Sequence, residues 1–149
     1  MTKGTTMDIA IIADDNKKEL MTQFCIAYCG ILARHNLCAT SVTGKYIMEA
    51  TGLEVEQAMA GVDGGVEQIA ARISYNEIDL LFYFKTTEPY ADEARNATEH
   101  DILRLCDIYN VPVATNVATA EALVMALDKG YLDWRKLVNP RSEYNRKDK

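Results

Sequence analysis

The chain has 149 residues, enough for one domain built around one hydrophobic core. Apolar residues make up 48% and charged residues 26%, an ordinary globular composition with no run near the roughly 20 apolar residues of a membrane span. The net charge is −6 and the only basic cluster is the tail from Arg135 to Lys149. Nucleic-acid binding needs clustered Lys and Arg, so neither nucleic acid nor membrane is expected as a partner. The tail is expected to be a solvated end. Met1 to Met7 is short and polar, without the apolar region of a signal peptide, which points to the cytoplasm. Cys25, Cys29, Cys38 and Cys106 form no C-x-x-C pair and are expected to be reduced thiols. His35 and His100 stand apart from them, so no metal site is expected.

Residues 8–14, DIAIIAD, read as a buried parallel strand. Asn16 and Glu19 then form a capping-box pattern, and a helix is expected to run to about His35 on the spacing of Leu20, Met21, Phe24, Cys25, Tyr28, Ile31 and Leu32. Residues 37–41 read as a second strand. Thr43 and Gly44 open a helix that Gly52 closes as a left-handed stop. A short third strand, 54–59, leads into the loop AGVDGG at 60–65 and a helix from about Val66. Residues 78–84, IDLLFYF, are the strongest strand signal, and the polar stretch 85–97 reads as a long loop. Thr98 to Asp101 repeats the capping-box pattern ahead of a helix to Asn110. VPVAT, 111–115, is the last strand, and 118–129 the last main helix, closed by Gly130.

Strict alternation with short connections predicts a single three-layer α/β domain: a mostly parallel five-stranded sheet with helices on both faces. Its core should span about 8–138, followed by a polar tail, 139–149. Such sheets bind ligands beyond the carboxyl ends of their strands. There the sequence supplies Asp14, Asp15 and Lys18, then Thr40, Ser41, Thr43 and Gly44, then Gly61, Asp63, Gly64 and Gly65, then Lys85 to Pro89, then Thr115, Asn116 and Thr119. Hydroxyls and helix-start N–H groups suit an anion, glycines let the backbone approach it, and Lys18 supplies countercharge. Plainer readings stand beside this one. Thr43 can be a helix cap, the glycines a turn, and Lys18 a solvated first-turn lysine.

The order IAIIADDNKK, CATSVTG, ATGLEVE, AGVDGG, IDLLFYF and LRLCDIYNVPVATNVATAE resembles the methylglyoxal synthases over about residues 8–138. The same fold occurs in the regulatory domain of carbamoyl-phosphate synthetase and in a purine-synthesis cyclohydrolase. The resemblance implies an enzyme that takes a proton from dihydroxyacetone phosphate, forms an enediolate and expels phosphate, with no cofactor. It also implies a homo-oligomer, a hexamer in the family. The family's phosphate contacts fall on Lys18, Thr40, Thr43, Gly44 and Gly61, while Ser41, Val42 and Ala60 stand where the family has Gly, Thr and Ser.

The catalytic pattern departs further. Asp14 takes the place of an active-site histidine, and Val66 that of the aspartate base. With two residues inserted after the fourth strand, Glu88-Pro89 matches the family's Asp-Pro, Arg95 a second histidine and Thr98 a later aspartate. A general base must present a titratable group to the proton it moves, and losing one costs roughly a factor of 100 to 10,000. The expected function is therefore a catalytically impaired member that binds phosphate or a small phosphorylated or anionic metabolite, in a sensing, sequestering or regulatory role. The alternative is an active synthase with relocated carboxylates, drawn from Asp14, Asp63, Glu67 and Glu88. Glu67 would point about 100° from Val66 on a helix. A purely structural assembly partner is a third reading.

Overall fold

β1, Asp8–Ala13, is buried along its whole length, as a central strand covered on both faces must be. The computed structural model describes residues 5–58, 65–88 and 93–146. Within them, β1 is followed by a 3₁₀ turn and the helices α1, Lys18–Ala27, and α2, Cys29–Leu32; next come β2, Asn36–Ala39, α3, Ser41–Thr51, and β3, Glu56–Gln57. The chain continues through α4, Val66–Ser74, β4, Leu80–Phe84, α5, Glu93–Tyr109, β5, Val113–Ala114, α6, Val117–Asp128, and a final short helix α7, Glu143–Arg146. The sheet order is β3-β2-β1-β4-β5, every pair parallel, with Ile9 level with Leu80 and Ala13 level with Phe84.

Side chains alternate across a strand, so β1 serves two cores. Ile9, Ile11 and Ala13 pack with Phe82 and Phe84 of β4, Phe24 of α1, Ile47 of α3 and Val124 of α6. Ala10, Ile12, Leu81 and Tyr83 pack on the other face with Ile69 and Ile73 of α4 and Ile102 and Cys106 of α5. The predicted three-layer α/β architecture is the one found. Successive strands run outward from β1 to β3, then return to β1's other side for β4. That reversal opens a crevice above the carboxyl ends of β1 and β4.

The structure corrects several local expectations. Asn16 does not cap α1; its amide donates to Thr86 Oγ1 at 3.1 Å, and Asp15–Lys17 form the 3₁₀ turn instead. The helix expected to reach His35 breaks at Tyr28, whose hydroxyl donates to Glu121 on α6. α3 starts at Ser41 rather than Thr43, because Thr40 is extended and its carbonyl accepts the Gly44 N–H. Gly52 closes it in the left-handed region, φ 74°, as expected. α5 starts at Glu93, inside the stretch read as loop, since Glu93, Ala94, Arg95 and Ala97 are capable helix formers. Thr98 is thus interior and donates to the Ala94 carbonyl instead of capping.

The largest correction is the tail. Arg135 and Asn139 are fully buried, and Ser142 nearly so. Arg135 Nε donates to Asp79 Oδ1 at 3.1 Å, and its terminal nitrogens donate to the carbonyls of Ile78, at 2.8 Å, and Tyr109, at 3.2 Å. Asn139 donates to Asp8 Oδ2 at 2.9 Å and to both Asp79 oxygens. Asp79 in turn accepts the Asp8 N–H at 2.8 Å. A buried carboxylate needs a partner, and the tail provides it. Burial holds the Asp79 carboxyl above its usual range, against the pull of the Asp8 N–H and of Arg135.

At the same end of the sheet, the Met7 N–H donates to His35 Nδ1 at 3.0 Å. Burial, with Arg34 alongside, lowers the His35 pKa below 6.5, outweighing Asp128 and Asp133. The folded state therefore favours neutral His35, so its contribution is complete above pH 6.5 and is lost as pH falls below that value. Two outcomes are expected in chemical denaturation. Arg135→Met leaves Asp79 buried without its cation and costs about 3–5 kcal/mol. Between pH 7.5 and 5.5 the stability of the parent falls relative to that of His35→Gln, which cannot titrate at this position.

Candidate functional site

The crevice above β1 and β4 holds a cavity of about 370 Å³. Its floor is Ile12, Ala13 and Asp14 at the end of β1, with Tyr83 of β4. One side carries Lys18 of α1 with Thr40 and Val42 at the opening of α3. The other carries Val66 and Glu67 of α4 with Ala94, Arg95 and Thr98 of α5. The starts of four helices thus converge on it, which makes the surroundings favourable to negative charge.

Lys18 arches back over the end of β1. Its Nζ donates to the Ala13 carbonyl at 2.8 Å and to Asp15 Oδ1 at 3.0 Å. That bond and the ammonium charge lower the Asp15 pKa below 3.8. Thr40 is buried and its hydroxyl donates to Thr43 Oγ1 at 3.0 Å, so it does not cap the backbone of α3.

Asp14 is 5% exposed at its side chain, and each oxygen is engaged. Oδ2 accepts the Thr86 N–H at 2.7 Å, and Oδ1 accepts from Arg95 Nη2 at 2.9 Å. Thr86 lies two residues beyond the end of β4, and its hydroxyl also accepts from Asn16 and from the Glu88 N–H. The segment after β4 thus forms a bracket around Asp14.

Of the residues singled out in the sequence, Asp14, Lys18, Thr40, Val42 and Glu67 line the cavity together. Glu67 reaches it beside Val66 despite its different helical bearing, because the first turn of α4 lies at the cavity edge. Ser41, Thr43 and Gly44 are not among the described lining residues. Gly44 packs against the sheet: a Cβ there would sit 3.1 Å from Gln57 Cγ. Glu88 is exposed beyond Thr86, while Ala60, Gly61, Asp63, Gly64 and Pro89 lie outside the described residues. The sequence reading missed Tyr83 and Ala94 as lining residues, and it missed that Asp14 and Arg95 meet across 81 positions. The available signal was an acid and a base of opposite charge, Asp14 and Arg95, at two positions that the resemblance gives to histidines.

The described cysteines are not nucleophiles of this site. They are free, and burial pushes Cys25 and Cys106 up to about 12 and Cys38 up to about 11. Among the described residues no group of His, Cys, Asp and Glu could hold a metal ion. No helix there is long and apolar enough to cross a membrane.

With this geometry established, the relatives are informative. The MGS-like domain family matches residues 22–115. Methylglyoxal synthase of Caldicellulosiruptor saccharolyticus is 50% identical over 143 residues, 96% of this chain and 100% of the relative. That of Listeria welshimeri is 47% identical over 131 residues, 88% of this chain and 96% of the relative. The crystal structure of methylglyoxal synthase from Elizabethkingia anophelis superposes with a TM-score of 0.70 at 32% identity, covering 81% of this chain and 78% of the other. The chain belongs to the methylglyoxal synthase family of MGS-like domains.

Proposed function

We propose that this protein binds phosphate or a small phosphorylated metabolite in the crevice and turns over the family substrate, dihydroxyacetone phosphate, poorly or not at all. The observation that carries this reading is the Asp14–Arg95 pair. Two positions that the family resemblance gives to titratable histidines here hold a carboxylate and a guanidinium bonded to each other. A guanidinium keeps its proton and cannot serve as acid or base near neutral pH. Val66, at the position of the family's aspartate base, presents only methyl groups to the cavity.

The anion-binding half of the site is better equipped. An ammonium has three donors, and Lys18 uses two of them on Ala13 and Asp15, so the third can meet a ligand oxygen. The N–H groups at the start of α3 receive no bond from the Thr40 side chain and can share a phosphate with Lys18. Gly61 would join from the following loop, as the resemblance implies. Binding without turnover suits a sensor, a sequestering protein or a regulatory subunit, in a homo-oligomer like those of the family. No cofactor is called for.

One observation favours a second reading. Glu67 lies on the cavity wall next to Val66, where a relocated carboxylate would have to stand for the chain to remain an active synthase.

Phosphate release from dihydroxyacetone phosphate, assayed beside the Caldicellulosiruptor relative, separates the two. The expected rate is at least about 100-fold below that relative, and Val66→Asp alone restores little because Asp14 and Arg95 remain. Robust release that Glu67→Gln abolishes would establish the active alternative. Calorimetry should find inorganic phosphate bound, with Lys18→Ala weakening it about tenfold or more, the scale of a charge-assisted hydrogen bond. No binding at millimolar phosphate would leave the cradle as scaffold only.

A further inference from the structure

The two cations of the cavity come from opposite faces of the sheet. Lys18 is on α1, which packs against the face carrying Phe82 and Phe84. Arg95 is on α5, which packs against the face carrying Leu81 and Tyr83. The cavity spans the sheet's end between them, over an apolar strip of Ile12, Ala13 and Tyr83. Each cation is paired with an aspartate, Lys18 with Asp15 and Arg95 with Asp14.

A single phosphate on the Lys18 side does not use this second pole. Arg95 is also costly where it stands, in the first turn of α5, because the helix dipole disfavours a cation there. Asp14 offsets that cost and fixes the guanidinium beside the cavity, while 52% of the Arg95 side chain stays exposed. Arginine cannot exchange a proton, but its planar fork matches an oxyanion, above all a carboxylate taken in two parallel bonds.

We propose that Arg95, positioned by Asp14, selects ligands that carry a second oxyanion, so that the site takes a short phosphate monoester with a carboxylate at its other end. This inference rests on the reading that a phosphate occupies the Lys18 side. Asp14 is the positioning residue and Arg95 the specificity-determining one, and neither moves a proton. The substrate class of the site thereby shifts from a neutral phosphorylated ketone to a phosphorylated acid.

Calorimetry on the full chain with inorganic phosphate, glycerol 3-phosphate and 3-phosphoglycerate tests this. The parent should bind 3-phosphoglycerate about tenfold or more tighter than glycerol 3-phosphate, the gain of one charge-assisted bond. Arg95→Gln should remove that preference while still binding glycerol 3-phosphate, which also reports that the variant is folded. Arg95→Glu should reverse the preference. Lys18→Ala should weaken both esters and leave their ratio intact. Equal binding of the two esters by the parent, or a preference that survives Arg95→Gln, overturns the inference and leaves phosphate binding standing. Failure of all three compounds to bind the parent overturns both.

Discussion

Two carboxylates at the base of the sheet, Asp8 and Asp79, organise much of what lies above them. Asp8 opens β1 and Asp79 immediately precedes β4, and the two residues clasp each other: the Asp8 N–H donates to the Asp79 side chain, and the Asp79 N–H donates to the Asp8 carbonyl. That clasp sets Ile9 level with Leu80 and carries the register to Ala13 and Phe84 at the far end. Two buried acids side by side are unfavourable unless a cation and further donors reach them. Arg135 and Asn139 do so from the end of the chain, and in doing so they fold the C-terminal segment under the sheet. The crevice opens where it does because β1 and β4 end together, and they end together because they are clasped together at their start.

At the opposite end the same physics is used differently. Asp14 is nearly as buried as Asp79, and it too has an arginine, but Arg95 remains half-exposed beside an open cavity. A fully enclosed pair is a fixture, whereas a half-open pair can exchange partners with a ligand. The base of β1 therefore carries an enclosed ion pair and its top carries one that borders the open cavity. The two differ in solvent access rather than in chemical type.

Much of this architecture was legible in the sequence because the core obeys local rules. The Ile-rich run at 8–14 and the apolar run at 78–84 could only be covered strands, and Gly52 ended its helix by backbone freedom alone. The failures share a cause: they depend on partners distant in the chain. Asn16 has the composition of a cap, yet Thr86, just beyond the end of β4, offers its side chain another partner. Arg135 and Asn139 look like solvated tail residues because their acids lie 56 or more positions away. Thr98 follows a charged stretch that reads as loop, although its residues are able helix formers and α5 simply begins earlier.

The candidate site shows the same division. Lys18 and Thr40 could be placed from their distance to a strand end, since the fold fixes where strand ends point. The meaning of Asp14 and Arg95 could not be read from either alone. Taken singly, each is only a departure from the histidine that the family resemblance implies at its position. Taken together, at 2.9 Å, they are a replacement. On the family resemblance, a carboxylate and a guanidinium bonded to each other stand where two histidines are expected. A guanidinium is well suited to recognising an anion, because its planar fork matches the paired oxygens of a carboxylate or phosphate. The apolar Val66 fits the same logic. It gives the cavity an apolar side chain in the first turn of α4, beside Glu67 of the same turn.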